Sequence, residues 1–256
     1  MKKKHGIQQV RKGIITCGGY ATRFLPISKA VPKEMLPIGD KPVIHYIVEE
    51  LGKAGITDIL ILLGRGKEAI PNYFDRNHEM DIPEPFPNIN IIYKRVPMPL
   101  GSADCVLHAR NFVQDEPFVI AYGDDVFFGS NATKELIDDF QTHNKPVITT
   151  FRVLPRHTPT YGIISGKDGN VTTIIEKPKS NPPSLLAAVG RYLMTPQIFE
   201  LISQDVNQDG EICMTRNLNK LATAGNLRYV KTASARFDTG NPRGLYLANR
   251  HYFKEV

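Results

Sequence analysis

A loop rich in glycine and cationic side chains follows the first apolar segment of the chain. Residues 18–37 read GGYATRFLPISKAVPKEMLP. A glycine turn after a strand lets backbone N–H groups approach phosphates closely. Arg23 adds a planar fork of donors that matches phosphate oxygens, and Lys29 and Lys33 add point charges in the same loop. A glycine pair alone would indicate a solvated surface turn, but the combination predicts a phosphate-binding loop.

The elements around this loop alternate between apolar strands and amphipathic helices. Strands are predicted at residues 13–17, 59–63, 89–93 and 118–122, and helices at 42–55, 68–74 and 103–111. Continuous apolar strands separated by helices predict a mainly parallel sheet with helices on both faces. Ligands of such sheets bind outside the carboxyl ends of the strands, where the Gly18-Gly19 turn and the Asp124-Asp125 pair both lie.

The second half of the chain has a more mixed pattern. Gly169-Asn170 predicts a turn between two strand-like segments. Thr195-Pro196 has the residue types of a helix start, and a closing helix is predicted from Pro242 to Phe253. The prolines at 83, 85 and 87 indicate a loop, because apolar strands resume directly after them. We therefore expect residues 1–256 to form a single domain.

The composition is that of an ordinary globular protein, with 41% hydrophobic and 23% charged residues among 256. No apolar run approaches the ~18 residues that span a bilayer, and no secretory signal follows the basic N-terminus. The three widely spaced cysteines exclude a full disulfide framework and favour a cytoplasmic location. The net charge of +6 comes largely from the first twelve residues, including Lys2, Lys3 and Lys4. A solvated basic tail explains it better than nucleic-acid binding.

The loop and several later motifs together resemble one enzyme family. Residues 18–37 are similar to the signature G-x-G-T-R-x-x-P-x-x-x-x-x-P-K of sugar nucleotidyltransferases, above all the bacterial UTP–glucose-1-phosphate uridylyltransferases. Glu34 to Pro42 continues the match. Further matches follow in family order across nearly the whole chain: Gly64-Arg65-Gly66-Lys67, Gly123-Asp124-Asp125, Tyr161-Gly162, Glu176-Lys177-Pro178, Val189-Gly190-Arg191-Tyr192 and Phe237-Asp238-Thr239-Gly240.

This resemblance implies a Rossmann-like nucleotidyltransferase fold in the α/β class. Its nucleotide-binding part would cover about residues 10–150, and a mixed sugar-binding and C-terminal part about residues 151–256. The implied reaction joins a nucleoside triphosphate, UTP for the closest subfamily, to glucose 1-phosphate and releases pyrophosphate. The resemblance also implies a homo-oligomer, dimer or tetramer, with no nucleic-acid or membrane partner.

The resemblance assigns roles to individual residues. Arg23 and Lys33 would hold the triphosphate and stabilise charge as the sugar phosphate attacks. Asp124 and Asp238 would bind Mg²⁺, which needs few protein ligands and prefers oxygen. Gly162, Glu176 and Lys177 would bind the sugar phosphate. The implied nucleotide-binding residues are Gly18, Gly19, Ala21, Thr22, Val96, Gly101 and Asp124.

Several positions depart from the family pattern, mainly around the nucleotide. Ala21 replaces the second glycine of the signature, where a methyl group is tolerable at negative φ. Val96 stands where related enzymes read uracil with a glutamine, and Ala103 replaces a glycine in the same stretch. Valine cannot hydrogen-bond a base, and polar readout is what gives large specificity ratios. The segment 75–89 also lacks a helical insert that is frequent in the family.

Three hypotheses follow. The first is synthesis of UDP-glucose. The second is the same reaction with dTTP or CTP, which Val96 and Ala103 favour. The third is a non-catalytic relative that binds a sugar nucleotide, although such a protein need not retain both carboxylates together with Arg23 and Lys33.

Overall fold

The structure, a computed structural model, describes residues 9–76, 84–96, 98, 100–202 and 210–255. The basic residues at positions 2–4 and the prolines at 83, 97 and 99 lie outside the described residues. The strands, numbered β1 to β13 in chain order, are Lys12–Cys17, Pro37–Ile38, Lys41–Pro42, Asp58–Leu63, Asn90–Arg95, Phe118–Tyr122, Asp125–Phe128, Val147–Arg152, Gly162–Lys167, Asn170–Glu176, Leu186–Met194, Arg228–Lys231 and Ala235–Asp238.

The α-helices of the described residues, α1 to α8, are Val43–Lys53, Ala69–Phe74, Ser102–Leu107, Arg110–Val113, Ala132–His143, Ile198–Leu201, Met214–Thr223 and Pro242–Glu255. Each strand and helix predicted in the first half is present, although the helix predicted at 103–111 is divided into α3 and α4. Short 3₁₀ helices at Thr22–Phe24, Ile27–Lys29, Lys33–Met35 and Pro155–Thr160 shape two of the loops.

Within the described residues, nine strands form one mixed sheet in the order β5-β4-β1-β6-β11-β8-β12-β10-β9. Strands β5, β4, β1 and β6 are parallel neighbours. The next strand, β11, is antiparallel to both β6 and β8, and the β9–β10 pair is antiparallel as well. The prediction of a mainly parallel sheet therefore describes only the first part of it.

The antiparallel part follows from the length of its connections. Strands β9 and β10 are joined by the turn at Asp168-Gly169, where both residues have positive φ. A turn this short can only join antiparallel strands, because parallel neighbours need a crossover of a dozen or more residues. The Gly169-Asn170 signal was visible in the sequence and is sufficient for this pair, whereas the antiparallel pairing of β11 with β6 and β8 has no such local signal.

Helices cover both faces of the sheet. Successive side chains of β1 point to opposite faces, so that Ile14 and Ile15, both fully buried, belong to different hydrophobic clusters. Side chains of α3, α6 and α7 pack into the cluster around Ile14. Those of α1, α2 and α5 pack into the cluster around Ile15. Burial on both faces explains why β1 reads as a continuous apolar run.

A two-stranded ribbon, separate from the nine-stranded sheet, pairs a strand from the first half of the sequence with a strand from the second half. Strand β7 begins directly after the Asp124 turn, and it pairs antiparallel with β13. The register places Asp238 opposite Asp125. Residues that are more than one hundred positions apart in the chain thus lie side by side at the carboxyl end of β6.

One buried ion pair joins the first half of the chain to the strand that continues the sheet. Arg191 of β11 is fully buried and donates to both carboxylate oxygens of Glu50 in α1, at 3.1 and 2.9 Å. Glu50 also accepts from the backbone and hydroxyl of Thr133 in α5. The charges therefore have the partners that burial requires.

Two further observations concern the expectations from composition. Cys17, Cys105 and Cys213 are all free thiols, and the first two are buried. None of the helices described in the structure is both long enough and apolar enough to cross a bilayer.

Candidate active site

The phosphate-binding loop predicted from the sequence connects β1 with β2. Phe24 in the first of its three 3₁₀ helices and Glu34 in the third are buried, while Arg23 remains exposed. The loop forms one wall of a cleft of about 480 Å³ at the carboxyl ends of β1 and β6. Eight of the predicted site residues line this cleft: Gly18, Gly19, Ala21, Thr22, Arg23, Lys33, Gly101 and Asp124.

The two predicted metal ligands lie next to each other beside Gly240. A Cβ atom added to this glycine would collide with Asp124 Oδ2 and lie 3.0 Å from Asp238 Oδ1. Thr239 holds the arrangement in place, because its backbone N–H and its hydroxyl both donate to the Asp124 carbonyl oxygen at 2.8 Å. The two carboxylates are therefore close enough to meet around one ion.

Lys33 connects the loop to this acidic pair. Its ammonium group lies 2.5 Å from Asp124 Oδ2. Burial alone would favour the neutral carboxyl of Asp124, but the charge of Lys33 outweighs it and lowers the pKa of Asp124. Burial also opposes the charge of Lys33, yet Asp124 raises the pKa of this lysine. Both groups are consequently charged at neutral pH.

Asp238 differs from Asp124 in its electrostatic surroundings. Burial raises the pKa of Asp238, Arg236 opposes this effect, and the neighbouring carboxylates of Asp124 and Asp125 add to it. The negative charges of Asp124 and Asp238 repel each other, and a divalent cation bound between them would offset this repulsion.

The residues present fit Mg²⁺. In the described parts of the chain, no group of three or more His, Cys, Asp or Glu side chains is arranged to hold a metal ion. Mg²⁺ does not need such a group, since it is bound in nucleotide enzymes through one or two carboxylates together with substrate phosphates and water. Asp124 and Asp238 provide that minimal set.

The predicted sugar-binding residues form a second group. A Cβ atom added to Gly162 would lie 2.7 Å from the Thr215 side chain and 3.2 Å from Glu176 Oε2, so this position is a close contact point. The Lys177 ammonium lies 3.9 Å from Glu176 Oε1 and is half exposed. The charge of Glu176 acts on Tyr122, a partly buried residue that lines the cleft. Gly162, Glu176 and Lys177 themselves are not among the residues that line this cleft.

Val96 occupies a different environment from the other predicted nucleotide-binding residues. Its side chain is fully buried in the hydrophobic cluster around Ile14, and its backbone N–H donates to the Leu63 carbonyl oxygen. It does not line the cleft. Gly101 does line the cleft, but it also has a structural reason to be glycine. Its φ is 120°, and an added Cβ would lie 2.7 Å from the Ile212 carbonyl oxygen.

Ala21 has an unexpected backbone conformation. Its φ of 53° and ψ of 38° lie in the left-handed region. Alanine was expected to be tolerable at this position only at negative φ, and this condition is not met. A non-glycine residue in this region stores strain of about 1 kcal/mol.

Arg236 is a site residue that the sequence analysis did not identify. Its guanidinium lies 2.5 Å from Asp125 Oδ1 and donates to the Tyr161 hydroxyl at 2.9 Å. The guanidinium also stacks on the rings of Phe151 and Tyr161. It thereby joins the turn that carries Asp124 to the residue preceding Gly162. Its position two residues before Asp238 was the one feature of the sequence that could have indicated a place near the site. Its contact with Asp125 depends on the pairing of β7 with β13.

Comparison with known proteins agrees with this architecture. The family model of the nucleotidyl transferases matches residues 12–255. A UTP–glucose-1-phosphate uridylyltransferase 2 of Staphylococcus saprophyticus is 37% identical, with 96% of this chain and 93% of the relative covered. Its namesake from Streptococcus pyogenes serotype M3 is 36% identical, with 95% and 90% covered.

The fold comparison gives the same result. The crystal structure of a UDP-glucose pyrophosphorylase complexed with UDP-glucose superimposes with a TM-score of 0.90 at 30% identity. It covers 97% of this chain and 100% of the neighbour. The chain therefore belongs to the nucleotidyl transferase family and has its α/β fold.

Proposed function

We propose that this protein transfers the uridylyl group of UTP to glucose 1-phosphate, giving UDP-glucose and pyrophosphate. The observation that carries the proposal is the position of Asp124, Arg23 and Lys33 in one cleft, with the Asp238 carboxylate next to Asp124 beside Gly240. The names of the relatives support uridylyl and glucosyl specificity. A protein that only binds a sugar nucleotide has no need of two adjacent carboxylates facing the triphosphate cations.

The chemistry requires no covalent nucleophile from the protein. The phosphate of the sugar is already ionised at neutral pH, and one of its oxygens attacks the α-phosphorus directly. Arg23 and Lys33 bind the triphosphate and offset the repulsion between two anions. Glu176 accepts hydrogen bonds from sugar hydroxyls, Lys177 pairs with the sugar phosphate, and Gly162 lets the hexose approach the backbone. Positioning and charge stabilisation thus account for the rate.

Mg²⁺ is the ion that we propose for Asp124 and Asp238, where it would neutralise charge on the reacting phosphates. The glycine-rich turn from Gly18 to Thr22 is proposed to hold the nucleotide. We further propose a cytoplasmic location, which the three free thiols support, and a homo-oligomer of two or four subunits.

The same reaction with dTTP or CTP is the second candidate. Val96 leaves this candidate open, because its side chain is buried outside the cleft and offers no hydrogen bond that would select uracil. Discrimination between uracil and other bases then rests on other groups.

The test is pyrophosphate release with Mg²⁺, measured for UTP, dTTP, CTP and ATP against several hexose 1-phosphates. We expect the highest kcat/KM for UTP with glucose 1-phosphate, and none without a sugar phosphate. A preference for dTTP or CTP would replace the uridylyl assignment by the second candidate. The absence of release with every pair would contradict catalysis and leave a binding protein.

A further inference from the structure

A second cleft, of about 520 Å³, lies on the far side of Arg23 from the candidate active site. Its walls come from the end of β8 with the following loop, from β13, and from the start of α8. Phe151, Leu154 and Leu247 give it partly apolar walls. Because apolar walls reduce the screening of charges by water, ionic contacts inside this cleft are stronger than on an open surface.

The charges that line this cleft are almost all positive. Arg23, Arg152, His157, Arg236 and Arg243 contribute to it, and Asp238 is the single carboxylate among its lining residues. Arg236 is already paired with Asp125. In the part of the chain that the structure describes, Arg23, Arg152 and Arg243 form no ion pair. The charge of Arg23 acts on Asp124, so that Arg152 and Arg243 are the two guanidinium groups of the cleft without an acidic partner among the described residues. Two such groups indicate a site for a multiply charged anion.

The two clefts meet at the reacting groups. Arg23 lines both of them. Asp124 lines the first cleft and Asp238 the second, and both carboxylates lie beside Gly240. The second cleft, with Arg152 and Arg243, is therefore next to the place where an anion would be released.

We propose that this basic cleft receives the pyrophosphate released in the reaction. The inference rests on the proposed function. An oxygen of the sugar phosphate forms a bond to the α-phosphorus while the bond between that phosphorus and the α,β-bridging oxygen breaks. Pyrophosphate departs with the bridging oxygen and its electron pair, and it needs no proton at that moment. Arg152 and Arg243 stabilise this anion and draw it away from the new sugar nucleotide.

The test uses inorganic pyrophosphate on the full chain, with and without Mg²⁺, and measures binding by calorimetry. The variant Arg152→Ala/Arg243→Ala removes two exposed side chains from the cleft. Lys231→Ala/Arg250→Ala is the matched control, because it removes the same total charge from exposed positions outside the cleft. We expect at least a tenfold weaker Kd for pyrophosphate in the first variant and less than a twofold change in the control, with Tm unchanged in both.

Kinetics separate a product site from a substrate site. The inhibition constant of pyrophosphate should rise by the same factor as its Kd, while the KM values for nucleotide and sugar phosphate stay within twofold. Equal pyrophosphate binding in the two double variants would overturn the proposal. A parallel rise in the nucleotide KM would also overturn it, since the arginines would then hold the triphosphate.

A third arm uses inorganic phosphate as the ligand. Pyrophosphate should bind at least tenfold more tightly than phosphate to the unmodified protein. Equal affinities would overturn the assignment to pyrophosphate and indicate a general anion site. Because binding is measured without a sugar phosphate, the result does not depend on turnover, and a failure of the proposed function would be recognised separately.

Discussion

Lys33 contacts Asp124, one of the two carboxylates that we propose as ligands of a divalent cation. The Lys33 ammonium lies 2.5 Å from Asp124, and the carboxylate is ionised because of this contact. The pair thus places a carboxylate, which can bind a cation, beside an ammonium group, which can bind a phosphate. From the sequence, Lys33 was predicted to hold the triphosphate and Asp124 to bind the metal ion, but the contact between them was not predicted. Their distance could not be predicted, because it depends on how the loop of residues 18–37 folds over the end of β6.

Replacing this carboxylate tests its role directly. Asp124→Asn keeps the side-chain size and loses the charge, so we expect turnover to fall by about 10³-fold or more. Folding should be retained, with Tm within a few degrees of the unmodified protein. The control is Asp168→Asn, an exposed left-handed turn residue that asparagine tolerates equally well. Turnover of Asp124→Asn within tenfold of the unmodified protein would contradict the metal-binding role.

The left-handed conformation of Ala21 leads to a stability prediction. Ala21→Gly should raise the free energy of unfolding by up to about 0.5 kcal/mol, because the strain relieved exceeds the extra entropy of an unfolded glycine. Urea denaturation measures the change.

The matched control lies in the same loop. Ala30 is exposed and has a φ of −107°, so Ala30→Gly relieves no strain and should lower the free energy of unfolding. If both variants changed the free energy of unfolding in the same direction, the left-handed conformation of Ala21 would not be the cause of the change. The sequence could locate Ala21 as a departure, but its φ required the structure.

At the scale of elements, the start of β1 is fastened to the segment that leads into β6. The Lys12 ammonium donates to the carbonyl oxygens of Phe112 and Val113 at the end of α4, and it also pairs with Glu116. Arg11 forms a second ion pair with Glu116 at 2.8 Å. These contacts hold together the ends of two strands whose other ends carry the site.

This clamp predicts a pH dependence of stability. Hydrogen bonds from Arg11 and Lys12 lower the pKa of Glu116 to about 2. A lowered pKa means that the stabilisation is complete above the unfolded value of about 4.5 and is lost as the pH falls toward 2. Glu116→Gln should therefore lower the free energy of unfolding by up to about 1 kcal/mol at pH 6, because the pair is partly exposed.

At pH 3 the difference between Glu116→Gln and the unmodified protein should be smaller. The measurement is urea denaturation at both pH values. Glu255→Gln is the control, because Glu255 is exposed and forms no ion pair with the residues that the structure describes, and it should show no such change. A difference that stays constant from pH 6 to pH 3 would rule out the ion pair as its cause.

The elements also show where prediction from sequence reaches its limit. The runs at 13–17, 59–63 and 118–122 were correctly predicted as strands because they are mostly apolar, contain no charged residue and are buried on both faces. The ribbon of β7 and β13 was not predicted, because its strands are four residues long and pair across more than one hundred positions. Arg236 was missed for the same reason, since only this pairing brings it to Asp125.

At the scale of the whole molecule, strands from both halves of the sequence share one sheet. Strand β11 lies between β6 and β8, and the buried pair of Glu50 and Arg191 connects it to α1. The expectation of a single domain remains a prediction, which cooperativity tests. We expect one unfolding transition, with the same midpoint by far-UV circular dichroism and by tyrosine fluorescence, the latter favoured by ten tyrosines and no tryptophan.

Arg191→Met should lower the free energy of unfolding by about 3–5 kcal/mol, since it leaves Glu50 buried without its counter-charge. Unfolding should remain a single transition, because strands from both halves of the sequence still share one sheet in this variant. The double variant Glu50→Gln/Arg191→Met should recover part of the loss. Two separate midpoints in either variant would show that residues 10–150 and 151–256 unfold independently.

The pairing of Asp238 with the Asp125 turn has a consequence for biosynthesis. A ribosome has made every cation of the loop and the first carboxylate, Asp124, by the time about half of the 256 residues exist. The second carboxylate, Asp238, is synthesised more than one hundred residues later. The candidate site can therefore be assembled only when synthesis of the chain is almost finished.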